Sequence, residues 1–232
     1  MTSSDVPAAH RPTHRPAMRD DLADLPVEVA PRLLGGLLRV EVAGAIVTAR
    51  LTEVEAYHGQ GTGTLADPGS HARMGRTARN ATMWGEPGHL YVYLSHGIHS
   101  CVNVVCGPEG VAGGILLRAA EIVEGVDAAF DRRPAARIAR DLARGPGRLG
   151  DAVGLRHPVH DGIDAVTGAA QAGATVRLFL PTRPVADVAS GPRVGVAGVA
   201  GTAAYPWRFW IPGDPTVSAF RWGRGAQEAS GR

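Results

Sequence analysis

The chain has 232 residues, 44% of them hydrophobic and 20% charged, and a formal net charge of +2 at neutral pH. This excludes fibrous, wholly disordered and coiled-coil classes and leaves room for one well-buried core. No run of about 18 apolar residues occurs, so no membrane-spanning helix is expected, and the N-terminal stretch lacks the apolar region of a secretory signal. Two cysteines, Cys101 and Cys106, are too few for a disulfide scaffold and are expected as thiols of a cytoplasmic protein. All 24 cationic side chains are arginine. Without lysine there is no side-chain amine for Schiff-base chemistry, and no Gly-x4-Gly-Lys phosphate loop.

Residues 1–20 mix Pro, His and Arg with small residues and predict a flexible tail. The spacing of Leu25, Val27, Val29, Leu33, Leu34 and Leu37 predicts a helix over 23–38, with Pro31 as a break or a new first turn. Residues 38–57, rich in Val, Ile and Thr, predict two strands joined at Ala43-Gly44. Residues 58–80 are glycine-rich and read as a long loop, a kind that is usually functional or disordered. His89–Ser95 and Ile98–Val105 predict a hairpin around His96-Gly97. A strand is expected at 114–121, helices at 134–143 and 148–155, and strands near 175–180, 194–199 and 207–211; 223–232 read as a second loose tail. No repeat or linker divides the chain. The expectation is one mixed α+β domain over 21–222, with a curved, mainly antiparallel sheet, flanking helices and a protruding hairpin.

Four features could carry chemistry. In a strand, Leu51, Glu53, Glu55 and Tyr57 share one face, while Thr52, Val54 and Ala56 share the other, which is expected to meet the core. The plainer alternative is a charged, solvent-facing strand; the glycine-rich loop that follows favours a site. On the hairpin, Tyr91, Tyr93 and Ser95 share a face, and His99, Cys101 and Asn103 alternate with Ser100, Val102 and Val104. His96 falls at the tip, either as a wedge for a nucleic-acid stack or as an ordinary exposed turn residue. Arg118, in an otherwise apolar strand, needs a partner, which could be Glu53 or Glu55, or locally Glu121 or Glu124. Residues 132–148 hold six arginines against one acid, Asp141, which suits phosphate contacts or a solvated helix face. His58, His71, His89, His96 and His99 lie near Glu53 and Glu55 in sequence but match no metal template, so no metal site is expected.

The order Thr52-Glu-Val-Glu-Ala-Tyr57, His71, Arg79-Asn80, Pro87-Gly-His-Leu-Tyr-Val-Tyr93, Cys101-Val-Asn103 and Leu116-Leu-Arg-Ala119 resembles the alkyladenine DNA glycosylase family, also called 3-methyladenine DNA glycosylase. Gly145-Pro-Gly-Arg-Leu149, Arg193-Val-Gly-Val196 and Arg208-Phe209 extend the resemblance, which covers roughly residues 25–222. It implies a monofunctional enzyme of base excision repair that flips a damaged purine from duplex DNA and hydrolyses its N-glycosidic bond. Glu55 matches the residue that activates water, and Arg118 the arginine that shares that water. Tyr57, His71 and Tyr93 match the residues stacked around the flipped base, and Asn103 the pocket wall that discriminates against the guanine amino group. His96 stands where the family has a gap-filling Tyr, Val54 where Thr is common, and extra residues separate Tyr57 from His71. Arg79, Arg140, Arg144 and Arg148 are expected on the DNA backbone. The implied protein is a monomer without cofactor, associated with the nucleoid and acting on the 3-methyladenine, 7-methylguanine and hypoxanthine class.

Attack on a base inside a duplex requires extrusion, and aromatic faces can hold the extruded base. A carboxylate beside an oxocarbenium-like sugar stabilises charge and takes a proton from water. Two rival readings remain at this point. One is a non-catalytic nucleic-acid-binding module using the hairpin and the arginine run. The other is a metal-dependent hydrolase built from Glu53, Glu55, His58 and His71.

Overall fold

Fourteen residues of one strand, β3 (Ala45–His58), run through the centre of the sheet and carry both candidate carboxylates. The computed structural model describes residues 13–59 and 65–231. The other strands are β1 (His14–Pro16), β2 (Leu37–Val42), β4 (Leu90–Ser95), β5 (His99–Val105), β6 (Gly113–Glu124), β7 (Ala174–Pro181), β8 (Ala189–Gly191) and β9 (Arg208–Trp210). They form one antiparallel sheet in the order β1-β7-β2-β3-β6-β5-β4, with β9 pairing both β3 and β8. Helices α1 (Pro26–Leu33), α2 (Val126–Arg132), α3 (Pro146–Val153) and α4 (Ala226–Ala229) complete a mixed, single-domain fold. No helix among the described residues is long and apolar enough to cross a membrane.

The core lies where β2, β3, β6 and β7 meet α1 and α3. Leu38, Val40, Val176 and Leu178 alternate inward from their strands, and Val29, Leu33, Leu149 and Val153 pack from the helices. Strand β3 does not keep one alternation. Val47, Ala49 and Leu51 face the core, but so do Val54 and Ala56, because the register against β6 shifts on both sides of Glu53. An extra residue inserted this way flips the facing of everything after it. Leu51 is therefore separated from Glu53, Glu55 and Tyr57, with which simple alternation had grouped it.

The predicted strand pair and hairpin are present. At the hairpin turn, His96 (φ 50°) and Gly97 (φ 71°) both take left-handed backbone, and the Ile98 N–H donates to the Ser95 carbonyl at 3.0 Å. This matches the right-handed twist of the flanking strands.

Several expectations fail for identifiable reasons. Within 1–20, His14–Pro16 forms a strand on β7, and Arg15 binds Asp21 through two 2.7 Å bonds; residues 1–12 lie outside the described residues. The first helix occupies only 26–33: it ends two residues after Pro31, and β2 begins at Leu37. No helix covers 134–143, where only a short 3-10 turn forms at Ala139–Asp141. The helix forms earlier, as α2. Residues 194–199 are not a strand, because Gly195 (φ 71°) and Gly198 (φ 60°) leave extended geometry. The C-terminal stretch is not wholly loose: Ala226 of α4 is fully buried.

Helix α3 lies directly on β5. A Cβ on Gly150 would fall on the Ser100 carbonyl oxygen, and one on Gly147 would meet the His99 side chain at 2.7 Å. Gly150→Ala is expected to destabilise the fold by roughly 1–3 kcal/mol, as overpacking does. The midpoint of urea unfolding checks this, and an unchanged midpoint would show that α3 can move off the strand freely.

Candidate active site

Strand β3 ends at a cleft of about 530 Å³, walled by the hairpin, the 68–73 loop and the Val194–Ala197 segment. Glu55 is fully buried at its foot. Its Oε1 accepts the Val194 N–H at 2.6 Å and its Oε2 accepts the Tyr57 hydroxyl at 2.8 Å, while Arg118 Nη1 stands 3.4 Å from Oε1. Burial and the neighbouring Glu55 charge push the Tyr57 phenol well above its usual range, so it remains a donor.

Glu53 is equally buried but does not line the cleft. Its Oε1 accepts Arg118 Nε at 3.0 Å and Arg208 Nε at 2.6 Å, and its Oε2 accepts the Ser218 N–H at 2.7 Å. Arg118 thus meets both candidate carboxylates and not the local acids. Glu121 pairs with Arg50, and Glu124 accepts the Thr48 hydroxyl.

The aromatic wall comes from cross-strand pairs. Tyr91 opposes Asn103 and Tyr93 opposes Cys101, which places all four on one face. The Tyr91 and Tyr93 rings stack with centroids 5.5 Å apart, and His71 packs edge-on against Tyr93 at 4.6 Å. His71 Nδ1 lies 3.2 Å from the Tyr91 hydroxyl. Burial, with Arg73 and Arg79 nearby, lowers the His71 pKa, and burial raises that of Tyr91 to about 12. Asn103 donates through Nδ2 to the Tyr91 carbonyl at 3.0 Å. The two cysteines are free and buried.

Sequence reasoning missed what stands behind Tyr57. The Arg193 guanidinium sits 4.4 Å from the Tyr57 ring centre and 5.1 Å from that of Trp207. It is fully buried and binds Asp67 through two 2.7 Å bonds. Asp67 also accepts the N–H groups of His58 and Gly69. This pair fastens the loop after β3 to the segment that supplies Val194. Arg208 and Ser218 were missed as well, while Tyr91 was placed on the hairpin face without a role of its own. The Arg193 and Arg208 segments had already stood out as family-like, and Tyr91 shares the face of Tyr93.

The arginines expected at phosphates lie outside this cleft. Arg79 lines an adjoining cleft with Arg73, Met74, His96 and His157, and Arg140 and Arg148 are exposed. Arg144 is half-buried and donates to the Val217 carbonyl at 2.9 Å. Within the same run, Arg132 and Arg133 donate to backbone carbonyls, Arg132 to Ala152 and Arg133 to Asp141 and Leu142, so the run is not one solvated face. No group of three His, Cys, Asp or Glu among the described residues could hold a metal ion.

A buried carboxylate at the foot of an aromatic-walled cleft is equipment for acting beside a planar ring. Residues 20–215 match the family model described as methylpurine-DNA glycosylase. A protein of Leifsonia xyli subsp. xyli is 51% identical over 208 residues, spanning 88% of this chain and 92% of its own length. One from Nocardia farcinica is 49% identical (87% of this chain, 90% of its own), and one from Streptomyces avermitilis 46% (90% and 94%). All three carry the name "Putative 3-methyladenine DNA glycosylase". The chain belongs to the methylpurine-DNA glycosylase family.

His58 gives the site a pH-sensitive neighbour. Its Nε2 is buried and has no hydrogen-bond partner among the described residues, and the ring packs edge-on to Trp207 at 4.8 Å. Burial, reinforced by Arg193 but opposed by Asp67, lowers its pKa from 6.5 to about 4. Between those values the unfolded chain binds the extra proton, so stability is full above about pH 6.5 and falls as pH drops toward 4. The loss approaches about 3 kcal/mol. Denaturant unfolding across this range should show a shallower pH dependence for His58→Phe than for wild type. Equal slopes would remove His58 as the cause.

Proposed function

We propose that this protein is a monofunctional DNA glycosylase that flips alkylated or deaminated purines from duplex DNA and hydrolyses the N-glycosidic bond. The substrates are of the 3-methyladenine, 7-methylguanine and hypoxanthine class, and the product is an abasic site. The observation that carries this reading is Glu55: fully buried, lining the cleft beneath stacked aromatic rings, and oriented by Tyr57, Val194 and Arg118, in a chain of the methylpurine-DNA glycosylase family.

In this reading the extruded base lies among Tyr57, His71 and Tyr93, with Asn103 at the edge that rejects the guanine amino group. Water attacks the sugar C1′: the new C–O bond forms as the C–N bond breaks, and the bond electrons leave with the base. The water proton passes to Glu55. An alkylated purine already carries positive charge, so those electrons neutralise it on departure and one carboxylate suffices; hypoxanthine is neutral and leaves as an anion that takes a proton from solvent water. Arg118 holds the water with Glu55. The chain contains no lysine, so a lyase step through a lysine Schiff base has no nucleophile here. His96, at the hairpin tip, fills the gap in the stack. Arg79, Arg140, Arg144 and Arg148 take the backbone; Arg144 does so with its Nε already committed to Val217.

Glu55→Gln is expected to lower single-turnover release of 3-methyladenine or hypoxanthine from duplex DNA by ~10²-fold or more. Kd for the damaged duplex should change little, and wild-type release should survive chelator. A mutant that turns over like wild type would remove Glu55 as the base; binding without release by either protein would indicate a non-catalytic module. Arg79→Ala and Arg148→Ala should each reduce the salt dependence of binding by about one phosphate contact. An unchanged slope would remove that arginine from the backbone.

A further inference from the structure

We propose that Glu53 is a positioning residue, which holds Arg118 at a fixed distance from Glu55 so that the cation assists that carboxylate without capturing it. The inference rests on the reading of Glu55 as the proton acceptor. Glu53 itself cannot be that acceptor: it has no exposed surface, does not line the cleft, and both its oxygens are occupied by Arg118, Arg208 and the Ser218 N–H.

The distances carry the argument. Arg118 gives Nε to Glu53 at 3.0 Å and Nη2 to the Ser218 hydroxyl at 3.2 Å. Its remaining nitrogen, Nη1, stays 3.4 Å from Glu55, longer than the roughly 2.7–2.9 Å of a tight charge-assisted bond. An untethered guanidinium so close to a carboxylate closes onto it as a two-pronged fork, occupying both oxygens and lowering proton affinity. Glu53 and Ser218 prevent that closure from behind. Arg208, shared on the same Glu53 oxygen, balances the second negative charge, so two carboxylates and two guanidiniums form a closed set. The other charged or titratable groups facing Glu55 are Tyr57 on its own strand, Tyr93 on β4, and Arg193, whose charge is held by Asp67.

The test is the pH profile of single-turnover base release from a 3-methyladenine duplex, with Kd measured in parallel. Glu53→Gln leaves Arg118 and Arg208 facing Glu55 alone, so the acid limb should move to lower pH by roughly one unit. The plateau rate should fall at least tenfold, with Kd within about threefold of wild type. Arg208→Gln leaves Glu53 undercompensated beside Glu55, so the limb should move to higher pH. Opposite shifts are the signature; a merely structural role moves both variants the same way or moves neither, and either result overturns the proposal. Should a buried substitution unfold the chain, Ser218→Ala deletes only the hydroxyl that Arg118 uses. A several-fold slower release at unchanged Kd then supports the proposal, and an unchanged rate overturns it. Glu55→Gln separates the two layers. Activity retained there sinks the reading of Glu55, whereas an inactive Glu55→Gln with unmoved limbs in the other variants sinks Glu53 alone.

Discussion

Two carboxylates fully buried two residues apart on one strand impose a requirement that much of the C-terminal third of the chain serves. Unpaired, such charges would oppose folding by several kcal/mol each. Their cations come from distant sequence, Arg118 from β6 and Arg208 from β9, and Glu55 also takes the Val194 N–H from the segment after Arg193, whose own charge Asp67 holds. Strand β9 is only three residues long, yet it pairs with β3 directly alongside Glu53 and Glu55. The late segments are thus folded onto the central strand by the electrostatic need of the site.

The register irregularity of β3 makes this possible. A strand obeying strict alternation after Leu51 would send Glu53 and Glu55 into the apolar core and turn Val54 outward. The bulge at Thr52–Glu53 lets Leu51 and Val54 both serve the core while the acids face the other side. Thr52, the residue spared from either role, meets the Thr216 hydroxyl at 2.8 Å. A local backbone defect thus converts a core strand into a site-bearing one midway along its length, a common use of bulges beside active sites.

What the sequence made legible was mainly local. The β2–β3 pair and the β4–β5 hairpin follow from alternation and from turn residues that accept left-handed backbone. The shared face of Tyr93, Cys101 and Asn103 follows from the same period. Arg118 could be recognised as needing an acid, although not as serving two. The non-local features stayed hidden. The apolar spacing of 194–199 does not distinguish a strand from a coil in which Gly195 and Gly198 take left-handed backbone after buried Arg193. The run of 132–148 looked like a basic surface because composition does not reveal that Arg132, Arg133 and Arg144 spend donors on backbone carbonyls. His14–Pro16 looked like tail because its β partner, β7, lies more than 150 residues away.

The support of the hairpin has a mechanical consequence. Strand β5 is hydrogen-bonded to β6 only over Asn103–Val105, so the outer half of the hairpin projects past the sheet. What braces it there is α3, whose Gly147 and Gly150 let the helix touch His99 and Ser100 directly. A lateral load on the tip therefore meets direct helix-to-strand contact in addition to the β4–β5 ladder and the bonds of His157 to Ser100 and Val92. Side-chain volume at the two glycines therefore bears on how the projecting arm is seated, at positions remote from the residue at its end.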